Sequence, residues 1–242
     1  MNEEAVGRAV YRAIEGGFVK REEIFIFTKI WPTLYENENA VDDTLKRLGM
    51  DYIDLLFIHQ PSGNFRAGYE LIEKAYREGK ARSLGISNFH GRKLDVLLSK
   101  AVIYPHVIQL ETYPYYVDHE TMDTFSPYGT KLMGWYPLGH GNRELLGEPV
   151  FEKLSEKNHK STVREILRWA VEKGFITIPG SRDPEHIREN IDIFNFSLNK
   201  EEMSSIDGLE QGKWYYHPSD ELEELYSTMH LPFETGKKQS SR

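Results

Sequence analysis

The 242-residue sequence predicts an α/β protein built on parallel strands. Three observations carry the prediction. Six short, nearly continuous apolar runs recur along the chain, the pattern of strands buried on both faces. Between them lie stretches whose apolar residues repeat with the helical period. Strand and helix alternate throughout, which implies parallel strands joined by right-handed crossovers.

In chain order, the first element is a helix over 2–15, with Asn2 at its N-cap. Strand 24–29 (IFIFTK) follows, then a helix over 39–48. There Ala40, Val41, Leu45 and Leu48 line one face, and Gly49 supplies the stop. Strand 53–59 (IDLLFIH) leads to helix 67–77, which stops at Gly79 in the same way. Strand 82–87 (RSLGIS) precedes a helix marked by Leu94, Val96, Leu97 and Leu98. Strands 107–111 (VIQLE) and 131–137 (KLMGWYP) come next, then a helix carrying Val163, Ile166, Leu167 and Ala170. Strand 175–179 (FITIP) closes the series, and Asp183-Pro184 followed by Glu189 opens a capped helix leading to Phe194.

No Pro/Ser-rich linker or internal repeat breaks this rhythm, so residues 1–242 are expected to form one domain, with 234–242 (ETGKKQSSR) a disordered tail. A closed (β/α)8 barrel needs eight strands, and six are legible. The chain also opens on a helix where that architecture places a strand. Either the sheet is open and six-stranded, or the first two βα units are absent.

Composition narrows the function. Thirty basic against 38 acidic residues give a net charge of −8 with the two signs interspersed, which argues against nucleic acid as a partner. No run approaches the ~18 apolar residues of a membrane span, and the polar start is no secretory signal. The absence of cysteine excludes disulfides, thiolate metal sites and cysteine nucleophiles. A cytoplasmic protein is expected.

Polar residues gather at the C-terminal ends of the strands: Lys29, His59, Ser87 with Asn88, Gln109 within VIQLE, and Ser181 after FITIPG. Each alone has a plainer reading. A single histidine there is most often structural, a lysine a solvated strand end, and Ser-Asn a helix N-cap. Together on one rim of one sheet they point to a site, since that edge is where barrel enzymes build their chemistry. His59 has no second ligand at metal spacing, so no metal is expected.

The stretches 27–31 (FTKIW), 49–59 (GMDYIDLLFIH), 84–89 (LGISNF) and 178–181 (IPGS), with Glu189-Asn190 and the 194–198 run, keep the order in which they occur in the aldo-keto reductases, and the chain resembles that family over nearly its whole length. The resemblance implies a (β/α)8 TIM barrel whose first two strands would precede Met1. It implies an NAD(P)H-dependent oxidoreductase that reduces aldehyde or ketone carbonyls to alcohols by hydride transfer. The family tetrad is Asp, Tyr, Lys and His. Lys29 and His59 match the last two, and a lysine beside a phenol favours the phenolate. Asn2-Glu3 matches the pair that follows the family tyrosine, so the tyrosine and aspartate would also fall before Met1.

For the cofactor, Ser87, Asn88 and Gln109 match residues that hold the nicotinamide carboxamide, which needs donors and acceptors together. Trp135 matches the ring stacked on the nicotinamide. Tyr136 and Leu138 lie in the 136–141 loop (YPLGHG) near the pyrophosphate, where glycines permit close backbone approach. Ser181, Glu189 and Asn190 match the adenosine end. Two cations that usually grip the 2′-phosphate are replaced by Gly180 and His186, and Arg182 is positioned to substitute for them. The reading leans to NADP(H) over NAD(H). Trp31 and Gln60 would wall the pocket of a small-molecule carbonyl substrate, with 214–217 (WYYH) near it. The sequence specifies neither that substrate nor the oligomeric state. The alternatives are a catalytically inactive nucleotide-binding protein and a truncated fragment of such a reductase.

Overall fold

The computed structural model describes residues 2–234, which divide into two compact units: 2–106 with 218–234, and 107–217. In the first, α1 (Glu3–Glu15), β1 (Phe27–Ile30), α2 (Ala40–Leu48), β2 (Leu55–Ile58), α3 (Phe65–Arg77), β3 (Leu84–Ser87) and α4 (Gly91–Leu98) alternate as the sequence predicts. β1, β2 and β3 form a parallel ladder in register Lys29 with Phe57 and Phe57 with Gly85. Every residue of β2 and β3 is buried, as a strand covered on both faces requires.

The second unit holds β4 (Val107–Glu111), α5 (His119–Phe125), β5 (Lys131–Trp135), α6 (Arg143–Leu146), α7 (Pro149–Asn158), α8 (Thr162–Glu172), β6 (Ile176–Thr177), α9 (Pro184–Ile191) and α10 (Lys200–Asp207). β4, β5 and β6 are again parallel neighbours. The chain then contributes α11 (Asp220–Thr228) to the first unit.

Local chemistry explains the details. α2 buries Ala40, Val41, Leu45 and Leu48, and Gly49 ends it in the left-handed conformation (φ 65°) that a Cβ disfavours. Gly85 interrupts an apolar strand because a Cβ there would stand 2.3 Å from the Phe57 ring. Buried Asp54 accepts from Arg21 (2.8 Å), from the Ile26 amide (2.9 Å) and from Arg82 (3.4 Å), tying the starts of β1, β2 and β3.

Several expectations are corrected. Strand 24–29 shifts to Phe27–Ile30, and 175–179 shrinks to two residues because Pro179 offers no amide to a ladder. Asn2 sits at the N-cap of α1 without a side-chain cap bond. Its neighbour Glu3 instead turns inward, accepting from Thr28 Oγ1 (2.8 Å) and Arg47 Nε (2.6 Å). The helix expected to reach Phe194 ends at Ile191. Glu234, expected in the tail, accepts from Thr33 Oγ1 (2.8 Å) and the Leu231 amide (2.7 Å). Residues 235–242 lie outside the described residues.

Candidate active site

In the first unit, the parallel register brings Lys29 and His59 to one strand end. Lys29 pairs with Phe57, and the His59 amide donates to the Ile30 carbonyl at 3.0 Å. Side chains alternate along a strand, so Lys29, Phe57 and His59 share a face. The Lys29 ammonium stands 5.9 Å from the Phe57 ring centroid. Among the described residues no carboxylate pairs with it. Burial without a counter-ion pushes Lys29 down to about 8. Burial, reinforced by the Lys29 charge, pushes His59 down to about 3, so its imidazole is neutral at physiological pH.

Trp31 packs against His59. Its ring meets His59 edge to face at 4.9 Å and Tyr226 of α11 at 5.4 Å. Its indole N–H donates to the Met229 carbonyl (2.8 Å), so the C-terminal segment fixes the ring. Neither Tyr226 nor Met229 was legible as part of a site, because α11 carries an acidic sequence with no buried face. Lys93 of α4 helps hold that helix by pairing with Glu223 while donating to the Pro61 carbonyl (3.0 Å).

Gln60 is buried, as Trp31 is. Its amide donates to the Tyr35 hydroxyl (3.0 Å), which donates back to its carbonyl (2.8 Å). Its side-chain oxygen accepts from Asn88 Nδ2 (3.1 Å), joining two of the expected site residues. Asn88, just past β3, takes a left-handed turn (φ 62°) that asparagine tolerates, beside buried Ser87.

In the second unit, Gln109 is fully buried in β4, its amide on Met133 Sδ at 3.1 Å. Trp135 ends β5 with its ring 4.5 Å from that of Tyr136. Tyr136 is exposed and left-handed (φ 52°). Leu138 is half-buried, and its carbonyl accepts from the Gly141 amide (2.9 Å). The glycines of 136–141 were expected to allow backbone approach to a ligand. For Gly139 the reason is internal: a Cβ would press on the Tyr113 ring at 3.1 Å. Gly141 does border open space.

After β6, Ser181 Oγ accepts from the Asp183 amide (3.0 Å), setting the turn into α9. Arg182 is exposed and pairs with no carboxylate among the described residues. Glu189 lies 3.5 Å from Arg164, and Asn190 is half-buried one residue on. The 214–217 segment packs on this unit, Trp214 stacking on Tyr116 (5.5 Å) and Tyr216 meeting Trp135 (5.7 Å). Glu111, whose sequence pattern marks it only as a strand residue, anchors it.

Among the described residues, no group of three His, Asp or Glu side chains is placed to hold a metal, and no helix is long and apolar enough to cross a membrane. Each unit carries parallel strands with polar side chains toward their C-terminal ends, the edge at which α/β barrel enzymes build their sites. The aldo/keto reductase family profile matches residues 1–211. Glyoxal reductase of Bacillus subtilis is 39% identical over 225 residues, 91% of this chain and 79% of its own length. An aldo-keto reductase from a Medee basin deep-sea metagenome superposes with a TM-score of 0.83 at 37% identity, over 90% of this chain and 81% of the other. The Bombyx mori aldo-keto reductase in complex with NADP gives 0.79 at 30% identity, over 88% and 76%. The chain belongs to the aldo/keto reductase family and is an oxidoreductase.

Proposed function

We propose that this oxidoreductase reduces small aldehydes or ketones to alcohols with NADP(H), as a single cytoplasmic barrel domain. The observation that carries the reading is the half-buried pair of Lys29 and a neutral His59 on one face at a strand end. A nicotinamide, when bound, supplies the hydride. His59 donates a hydrogen bond to the substrate carbonyl oxygen, which a neutral imidazole can do without giving up its proton. Lys29 adds positive charge on the same face, so charge developing on that oxygen is stabilised in a low-dielectric setting. Trp31, held by Met229 and Tyr226, walls the substrate side, with Gln60 behind it.

The donor set suits the cofactor. A hydroxyl and two amides (Ser87, Asn88, Gln109) offer the mixed donors and acceptors that a carboxamide needs. Trp135 offers an aromatic face, with Tyr136 and Leu138 on the following loop. Ser181, Glu189 and Asn190 are assigned to the adenosine end, and the exposed guanidinium of Arg182 to the 2′-phosphate, which favours NADP(H) over NAD(H).

Glyoxal is the first substrate to try, given the relative named for reducing it. Loss of NADPH absorbance with glyoxal or a small diketone supports the reading. NADPH binding without any turnover of these carbonyls would refute it. A second reading, a nucleotide-binding protein without turnover, draws support from Lys29 having no carboxylate among the described residues. It predicts tight NADPH binding and no consumption.

A further inference from the structure

Glu111 is the last residue of β4 and is 3% exposed. It pairs with no Lys, Arg or His among the described residues. A buried carboxylate without a counter-ion is costly unless hydrogen bonds converge on it. Here two do. One oxygen accepts the Tyr215 backbone N–H at 2.9 Å, and the other accepts that of Tyr216 at 2.8 Å. Those two amides belong to an irregular segment that no helix or strand supports. Other main-chain ties run to the Tyr115 carbonyl, which accepts from the Gln211 amide (3.0 Å) and the Lys213 amide (3.3 Å), and to the Tyr113 hydroxyl, which donates to the Lys213 carbonyl.

The anchored segment places two rings. Tyr215 stacks on Tyr113 at 5.7 Å with the planes 16° apart. Tyr216 meets Trp135 edge to face at 5.7 Å and 78°. A chain of contact therefore runs from the Glu111 carboxylate through the Tyr216 backbone and ring to the Trp135 indole. A carboxylate is well suited to such a clamp, because each oxygen accepts one of two successive N–H groups.

We propose that Glu111 is a positioning residue for cofactor binding, fixing Tyr216 so that Tyr216 in turn holds the Trp135 indole. This rests on the assignment of Trp135 to the nicotinamide ring made above. Glu111 itself touches neither substrate nor cofactor in this scheme.

The experiment uses the full chain as wild type, Glu111→Gln, Tyr216→Ala and the double variant. It measures NADPH dissociation constants by titration calorimetry and amide exchange at Tyr215 and Tyr216. Glu111→Gln keeps the shape but replaces one acceptor oxygen with a donor. It should speed exchange at those amides and weaken NADPH binding about tenfold, the size typical of lost support behind a binding group. Tyr216→Ala should weaken binding to a similar degree. The double variant should bind within about twofold of Tyr216→Ala, because both changes act along one path. Faster exchange in Glu111→Gln with NADPH affinity within about twofold of wild type would reduce Glu111 to a loop anchor and overturn the proposal. Wild-type affinity in Tyr216→Ala would overturn it too, and that test does not depend on how Glu111→Gln folds. A wild-type chain that fails to bind NADPH removes the assignment of Trp135 and the cofactor role of Glu111 with it. The exchange measurement still reports whether the anchor exists, so the two failures are told apart.

Discussion

Lys29 and His59 share one face at the end of the β1–β2 ladder, and the lysine's charge adds to burial in keeping the imidazole unprotonated. The same burial acts on Lys29, whose pKa falls from 10.5 to about 8. A depressed lysine pKa means that the folded state resists the proton. Below pH 8 both states are charged and the fold carries the whole cost, of the order of 3 kcal/mol. As pH rises from about 8 to 10.5, the unfolded chain keeps a proton that the folded chain has lost, so this cost shrinks. Lys29→Met should therefore raise stability at pH 7 by about 1–2 kcal/mol while abolishing any Lys29-dependent turnover. Urea unfolding at pH 7 and pH 10.5 checks it, with the gain expected to fade at the higher pH. A variant no more stable than wild type at pH 7 would show that water or an unassigned anion solvates the ammonium.

His59 acts in the same direction, in a lower pH window. Its folded pKa of about 3 lies below the ordinary 6.5, so between these values the unfolded chain binds a proton that the folded chain refuses. Stability from this group is complete above pH 6.5 and is lost as pH falls toward 3. Between pH 7.5 and pH 5 the loss should be about 2 kcal/mol. His59→Gln should flatten that part of the stability profile relative to wild type, as denaturant melts at the two pH values would reveal. Equal slopes for variant and wild type would mean that His59 protonates freely in the fold.

The same pair shows how far the sequence could be read. IFIFTK and IDLLFIH announce parallel strands buried on both faces; β2 is buried throughout, whereas β1 is buried only at Ile30, and strand alternation puts Lys29, Phe57 and His59 on one face once the register is known. The register itself, Lys29 with Phe57, is a tertiary fact that no local pattern contains. Gly85 looks like a weak point of RSLGIS until the Phe57 ring appears beside it. The helix from Asp220 is marked only by the Ser219 cap, whose Oγ accepts from the Leu222 amide at 3.2 Å, because none of its residues is buried. Glu111 escaped notice for a related reason: its partners are backbone amides about a hundred residues away, and backbone donors leave no trace in side-chain types.

Asp54 supplies a prediction independent of catalysis. It is 5% exposed and accepts from Arg21, Arg82 and the Ile26 amide, while both arginines lie over the Tyr52 ring at 3.9 and 3.7 Å. Removing the carboxylate leaves a half-buried guanidinium and a backbone donor without their acceptor. Asp54→Ala should cost about 3 kcal/mol. Tyr52→Leu, which removes only the ring beneath the two cations, should cost about 1 kcal/mol. Thermal or urea melts of both variants test this ranking, and a Tyr52 variant less stable than the Asp54 variant would reverse it.

Arg182 bears on nucleotide choice. It stands exposed between Ser181, which sets the turn into α9, and Asp183, whose side chain accepts from the Glu185 amide at 2.8 Å. With no carboxylate partner among the described residues, its guanidinium is available to a phosphate, and Gly180 and His186 add no permanent charge beside it. A monoanionic or dianionic 2′-phosphate would then depend on one cation. Arg182→Ala should weaken NADPH binding about tenfold and leave NADH within about twofold, the loss expected for one charge-assisted contact. Because the group is exposed, the gap between the two nucleotides should narrow as salt rises toward ~1 M, where the Debye length falls to about 3 Å. Direct titration of both nucleotides at low and high salt measures this. Equal losses for NADPH and NADH would instead place Arg182 on the part of the nucleotide that the two share.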